Sequence, residues 1–182
     1  MNIKIRRAKE IDLMEIKKLQ EQNHFSNLSE EEKKKEGFVS VETDLETLIK
    51  INRIGIIVAE INSKIIGYEF PLEINLANDI LLLKPFIKKI LKLQYKNKKI
   101  EDYNPIIAGQ ICIDKDYKRL GIASKMHKKF LEMLKNKYDL LVTEISNQNQ
   151  RSYNCATKNL GLKVIEEYTS NNKKWYILVQ EI

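Results

Sequence analysis

The chain has 182 residues, and its 32 Lys or Arg against 25 Asp or Glu give a net charge of +7. That length suits one ordinary domain spanning 1–182, and 43% hydrophobic with 31% charged residues can bury a core, which excludes a disordered tail. The most apolar stretch, 80–83, ends at Lys84 and Pro85, too short for a membrane span; residues 1–10 carry no apolar signal core, and Cys112 and Cys155 form no metal pair or disulfide framework.

A reduced, cytoplasmic protein with no membrane partner is expected from these features. The lysines are spread along the chain among acidic residues, and no Arg stripe with interleaved aromatics appears, so no nucleic-acid partner is expected.

In chain order, residues 2–6 alternate apolar and polar, as in a short strand. Ile11, Met14, Ile16 and Leu19 then fall near helical spacing over 8–22, with Asp12 near the start. Residues 23–37 read as a mobile connection or a solvated helix, and 44–51 as a helix capped by Thr43 or Asp44. Residues 55–61 and 64–70 read as a hairpin turning on Asn62 and Ser63. Phe86, Ile87, Ile90 and Leu91 stand at helical spacing behind Pro85, so 72–105 is expected to be a helical insertion. A strand over 106–113, a loop, and a helix marked by Ile122, Met126, Phe130 and Leu134 follow. A buried strand over 140–146, a helix over 149–160 closed by Gly161, and late strands over 163–168 and 174–181 complete the chain. Mixed strands and helices imply an α/β or α+β sheet protein.

The loop before the second-half helix carries the chemistry. A helix that starts at Gly121 offers unpaired N–H groups and the positive end of its dipole, and Lys118 and Arg119 add cations. That combination suits a phosphate or pyrophosphate. It is neither a P-loop nor a dinucleotide fingerprint, because the other glycines are missing.

The stretch Ile111-Cys-Ile-Asp-Lys-Asp-Tyr-Lys-Arg-Leu-Gly-Ile-Ala-Ser-Lys-Met126 resembles the acetyl-coenzyme A motif of the GNAT N-acetyltransferase superfamily. Gly121 and Ala123 match the Arg/Gln-x-x-Gly-x-Gly/Ala core, and Lys118 replaces its leading Arg or Gln. Asn149-Gln-Arg-Ser152 and Asn159-Leu-Gly-Leu-Lys163 resemble the two ends of the family's next helix. The resemblance implies a mixed, mostly antiparallel sheet splayed at the coenzyme strand, flanked by helices. It implies acetyl-CoA as cosubstrate, no metal, and direct acetyl transfer to a primary amine of a small molecule or peptide. The backbone of Ile111, Cys112 and Ile113 would pair with the pantetheine arm. The N–H groups of Arg119, Leu120, Gly121, Ile122, Ala123 and Ser124 would receive the pyrophosphate, with Lys118 beside them and Asn149 at the start of the next helix.

The family often places a Tyr acid four residues before the helix-ending Gly. Here that residue is Thr157, and counting from Asn149 instead needs one extra residue in the helix. Tyr153, one turn earlier, takes the acid's place in this reading, and packing is its alternative role. Glu144, a charge in mid-strand, is the candidate base, with Glu69 second; a solvent-facing carboxylate is the alternative. Cys112, lone on an apolar strand, reads better as a small core residue than as a nucleophile. A family-fold module that binds acyl-coenzyme A without turnover is the rival function. The insertion is expected to border the acceptor cleft, to pair with a second subunit in a homodimer, or to cover the sheet.

Overall fold

The computed structural model describes residues 2–182. Seven strands form one mostly antiparallel sheet flanked by helices, in the order β1-β2-β3-β6-β7-β9-β8. The expected mixed α/β class is therefore the one observed. The chain divides into two compact units: one running to Pro71 and including Gly109–Met133, the other comprising Leu72–Ala108 and Leu134–Ile182.

The first unit begins with β1 (Lys4–Arg7), followed by α1 (Leu13–Asn23), α2 (Glu30–Glu36) and α3 (Leu45–Ile54). The polar segment over 23–37 contains a solvated helix. All seven residues of α2 are Glu or Lys, with nothing buried, yet Ser29 and Glu32 form a reciprocal capping box at its start. Asp44, not Thr43, caps α3 and accepts from the Thr47 amide at 2.7 Å. Strands β2 (Ile57–Ile61) and β3 (Lys64–Leu72) form the expected hairpin, with Asn62 and Ser63 both at positive φ. The unit closes with the end of β6 (Pro105–Ile113) and with α6 (Ile122–Leu134), whose Ile122, Met126 and Phe130 are buried as their spacing predicts.

The second unit starts with α4 (Ile74–Asn78) and α5 (Lys84–Ile90), and α5 buries Phe86, Ile87 and Ile90 within it. A hairpin of β4 (Gln94–Tyr95) and β5 (Lys98–Lys99) follows, so the insertion over 72–105 is not wholly helical. Its turn, Lys96-Asn97, has both residues at positive φ, a conformation the sequence signals only through Asn97. Next come β7 (Leu140–Ser146), α7 (Gln150–Asn154), β8 (Lys163–Ser170) and β9 (Lys173–Glu181). A π turn over Cys155–Asn159 prolongs α7, with the Leu160 amide donating to the Cys155 carbonyl at 3.1 Å. A π turn takes about one residue more than an α turn, the same number by which the two ways of counting the helix differ. Among the described residues no helix is long and apolar enough to cross a membrane.

Candidate active site

Strand β6 carries its site residues out of a ladder that stops early. It pairs in parallel with β7 from Pro105↔Leu140 to Ile107↔Val142, although β6 continues to Ile113 and β7 to Ser146. Within the second unit, the Thr143 hydroxyl donates to the Ala108 carbonyl at 3.0 Å, so a side chain takes the bond the next ladder rung would have made. Beyond that point this edge of β6 has no ladder partner among the described residues. An extended ligand with amide groups can add there as a strand would.

The opposite side of the β6 exit is fixed within the first unit. The Asp114 amide donates to the Ile66 carbonyl at 2.8 Å. A Cβ at Gly67 would lie 3.1 Å from the Cys112 carbonyl and 3.2 Å from the Ile113 side chain, so glycine permits this approach. Gln110 adds a polar anchor. Its Oε1 accepts from the Tyr68 hydroxyl and from Gln20 Nε2 at 2.9 Å, and its Nε2 donates to the Val41 carbonyl at 2.9 Å. Gln20 Oε1 in turn accepts from the Thr43 amide at 3.2 Å.

The loop then presents backbone. Arg119 has φ of 68° and Gly121 of 71°, and nothing lies within 4 Å of where a Gly121 Cβ would stand. Arg119, Leu120, Gly121 and Ser124 are exposed, Ala123 is half-buried, and Ile122 turns into the core. The open space over Gly121 at the N-terminus of the 13-residue α6 fits an anionic phosphate. Lys118 is committed elsewhere: its ammonium donates to the Glu36 carbonyl at 3.0 Å and lies 3.4 Å from the Glu36 carboxylate, tying the loop to the C-terminal end of α2. Lys125, Lys128 and Lys129 are solvated.

Ile111 and Ile113 are half-buried on the strand. Cys112 is buried, and burial pushes its thiol pKa up to about 12, which removes it as a nucleophile. Glu69, the second candidate base, is buried in the first unit against His127, with 2.6 Å between Oε1 and Nδ1. His127 lies on α6, and its partner Glu69 comes from a distant strand, where no local pattern signals it.

In the second unit, Asn149 caps α7 by accepting from the Ser152 amide at 3.2 Å. The Tyr153 ring packs on Tyr176 of β9, centroids 4.7 Å apart. Tyr176 and Ile145 pack against Ala156 and Leu162, so odd-numbered Ile145 on β7 faces α7. Strand alternation then turns Glu144 to the other face, so the structure does not bring Glu144 and Tyr153 together. Glu144 is half-buried, and burial raises its pKa to about 7 against the opposing hydrogen bond from Tyr168, a partner the sequence reading missed.

The Acetyltransferase (GNAT) family matches residues 15–162. No curated protein sequence matches significantly. Among solved structures, the N-acetyltransferase of Staphylococcus aureus Mu50 aligns with a TM-score of 0.65 at 15% identity, covering 100% of this chain and 99% of that one. The ribosomal-protein-S18-alanine N-acetyltransferase of Escherichia coli aligns at 0.62 and 13%, covering 100% and 94%. The yncA protein of Salmonella typhimurium, solved with its cofactor acetyl-CoA, aligns at 0.62 and 11%, covering 98% and 93%. The family match takes in the parting strand, the Gly121 loop and α7, and the chain belongs to the GNAT acetyltransferase family.

Proposed function

We propose that the protein transfers the acetyl group of acetyl-CoA directly to a primary amine. The observation that carries this reading is the open backbone over Gly121 at the start of α6, directly after a strand whose ladder has ended. The N–H groups of 119–124 would hold the pyrophosphate, and the backbone of Ile111, Cys112 and Ile113 would pair with the pantetheine amides.

In the reaction the amine nitrogen attacks the thioester carbonyl, the C–N bond forms and the C–S bond breaks. Backbone N–H groups at the end of β6 would stabilise the oxyanion. Glu144 would take the proton lost by the amine; a carboxyl that titrates at about 7 is well matched to a base working near neutrality. Tyr153 would supply a proton to the departing thiolate. Its position on the α7 face, away from Glu144, would keep the two proton tasks apart.

One observation favours the rival reading, a coenzyme-binding module with little turnover. Thr157, at the family's acid position, donates its hydroxyl to the Tyr153 carbonyl at 2.8 Å and is occupied inside the helix. Calorimetry with coenzyme A, followed by thiol release from acetyl-CoA across polyamines, amino acids, aminoglycosides and peptides with free N-termini, tests both. Thiol release that depends on an amine supports transfer; binding without release supports the module; absence of binding overturns both.

A further inference from the structure

Tyr168 stands two strands from Glu144 and still reaches it. Across β7, β9 and β8 one row reads Glu144, Ile177, Glu166, and the next reads Ser146, Trp175, Tyr168. Side chains directly opposite in a sheet share a face, and alternate residues of a strand do too, so Tyr168 stands on the face of Glu144.

An irregularity in β8 creates this placement. Val164 pairs with Leu178, yet Glu166 pairs with Ile177, so one extra residue sits between them. A regular strand would put Tyr168 opposite Lys174, on the face that Tyr176 and Leu178 present to α7. Bulges re-aim side chains in this way. The re-aimed hydroxyl donates to Glu144 Oε2.

We propose that Tyr168 is a positioning residue for Glu144: the bulge delivers its hydroxyl to the carboxylate, which fixes the carboxylate's direction and favours its ionised form. This rests on the reading of Glu144 as the base. Burial drives Glu144 toward the neutral acid, and the Tyr168 hydrogen bond opposes that drive. The remaining charges on this face are placed apart or already paired. Glu166, in the same row, is held by Lys89 of α5 at 2.6 Å. Lys173 lies one row beyond Tyr168, and Lys163 and Glu181 lie at the opposite end, where Lys96 holds Glu181.

The test is Tyr168→Phe, which keeps the ring and deletes the donor. In protein carrying carboxyl-labelled glutamate, with the Glu144 signal assigned through Glu144→Gln, the titration midpoint should rise by about one pH unit, the loss expected for a hydrogen bond to a charged group. The acid limb of acetyl transfer to a peptide with a free N-terminus should move alkaline by the same amount, with coenzyme affinity unchanged. An unmoved midpoint in a folded variant overturns the proposal, and so does a moved midpoint with an unmoved acid limb. If Glu144→Gln leaves the acid limb in place, the base reading itself fails, and that result is separate from the Tyr168 titration. Should the Phe variant not fold, Glu144→Gln should ease ionisation of the Tyr168 phenol, seen as a tyrosinate difference spectrum; an unchanged spectrum overturns the pairing.

Discussion

Glu69 and His127 lie 58 residues apart in the chain and meet inside the first unit with 2.6 Å between Oε1 and Nδ1. Their residues are 2% and 4% exposed, and Glu69 Oε2 has no hydrogen-bond partner. Burial holds the Glu69 carboxyl above its usual range, and the His127 hydrogen bond opposes that shift. A carboxyl raised in the folded state contributes its full stability below the ordinary carboxylate range and loses it as pH climbs through the raised value. The difference between Glu69→Gln and the parent should therefore move in the variant's favour as pH climbs above the ordinary carboxylate range in denaturant titrations. His127→Ala leaves the buried Glu69 carboxyl without its partner and should cost about 2 kcal/mol. Parallel stability curves for Glu69→Gln and the parent would refute the assignment.

Gly121 combines a left-handed backbone with an empty neighbourhood. Gly121→Glu should fold, losing about 1 kcal/mol to backbone strain, and should lose coenzyme A binding by calorimetry. Gly121→Asn tolerates the same φ and serves as a control that separates strain from the added charge. Unchanged affinity in the Glu variant would remove the pyrophosphate from this loop.

Gln110 holds three hydrogen bonds on one amide. Gln110→Leu should strand the Val41 carbonyl and the donors of Tyr68 and Gln20, at a cost of about 2–3 kcal/mol or more. Loss of these anchors should loosen the 38–44 segment, and hydrogen exchange at the Thr43 amide, bonded to Gln20, reports it directly. Protection equal to the parent's would show that the segment is held elsewhere.

The buried Cys112 thiol, with its pKa pushed up to about 12, should resist iodoacetamide at about pH 8 in the folded protein and react once the chain is denatured. Mass mapping of the alkylated peptide checks this. Rapid native labelling at Cys112 would mean that the end of β6 opens far more readily than its packing indicates.

Short-range signals made most of the coenzyme segment legible. Gly121, the apolar face of α6 and the asparagine cap of α7 each sit within a few residues of what they organise, so the chain order alone reveals them. Gly67 was visible only as part of a hairpin, because its reason is the approach of Cys112 and Ile113 from a distant strand. Glu69 with His127, Gln110 with Gln20, and Glu144 with Tyr168 depend on register and on which elements stack, and a one-residue slip reverses a strand's faces. The separation of Glu144 from Tyr153 was hidden for the same reason. Lys118 illustrates a different limit: its position in the motif was readable, but its bond to the end of α2 was not.

The π turn after α7 means that this helix has two independent phases. Ahead of it, Tyr153 packs on Tyr176; Ala156 within it and Leu162 beyond it cluster with Leu178. An α-helix turns about 100° per residue, so a single added residue would swing one of these contacts away from the sheet unless a wider turn absorbed it. The helix thus accommodates a change of length within one turn, leaving both the Asn149 cap and the Gly161 exit, with φ of 84°, in place. Shortening the chain by one residue inside 155–159 should restore a uniform helix at little cost to the fold.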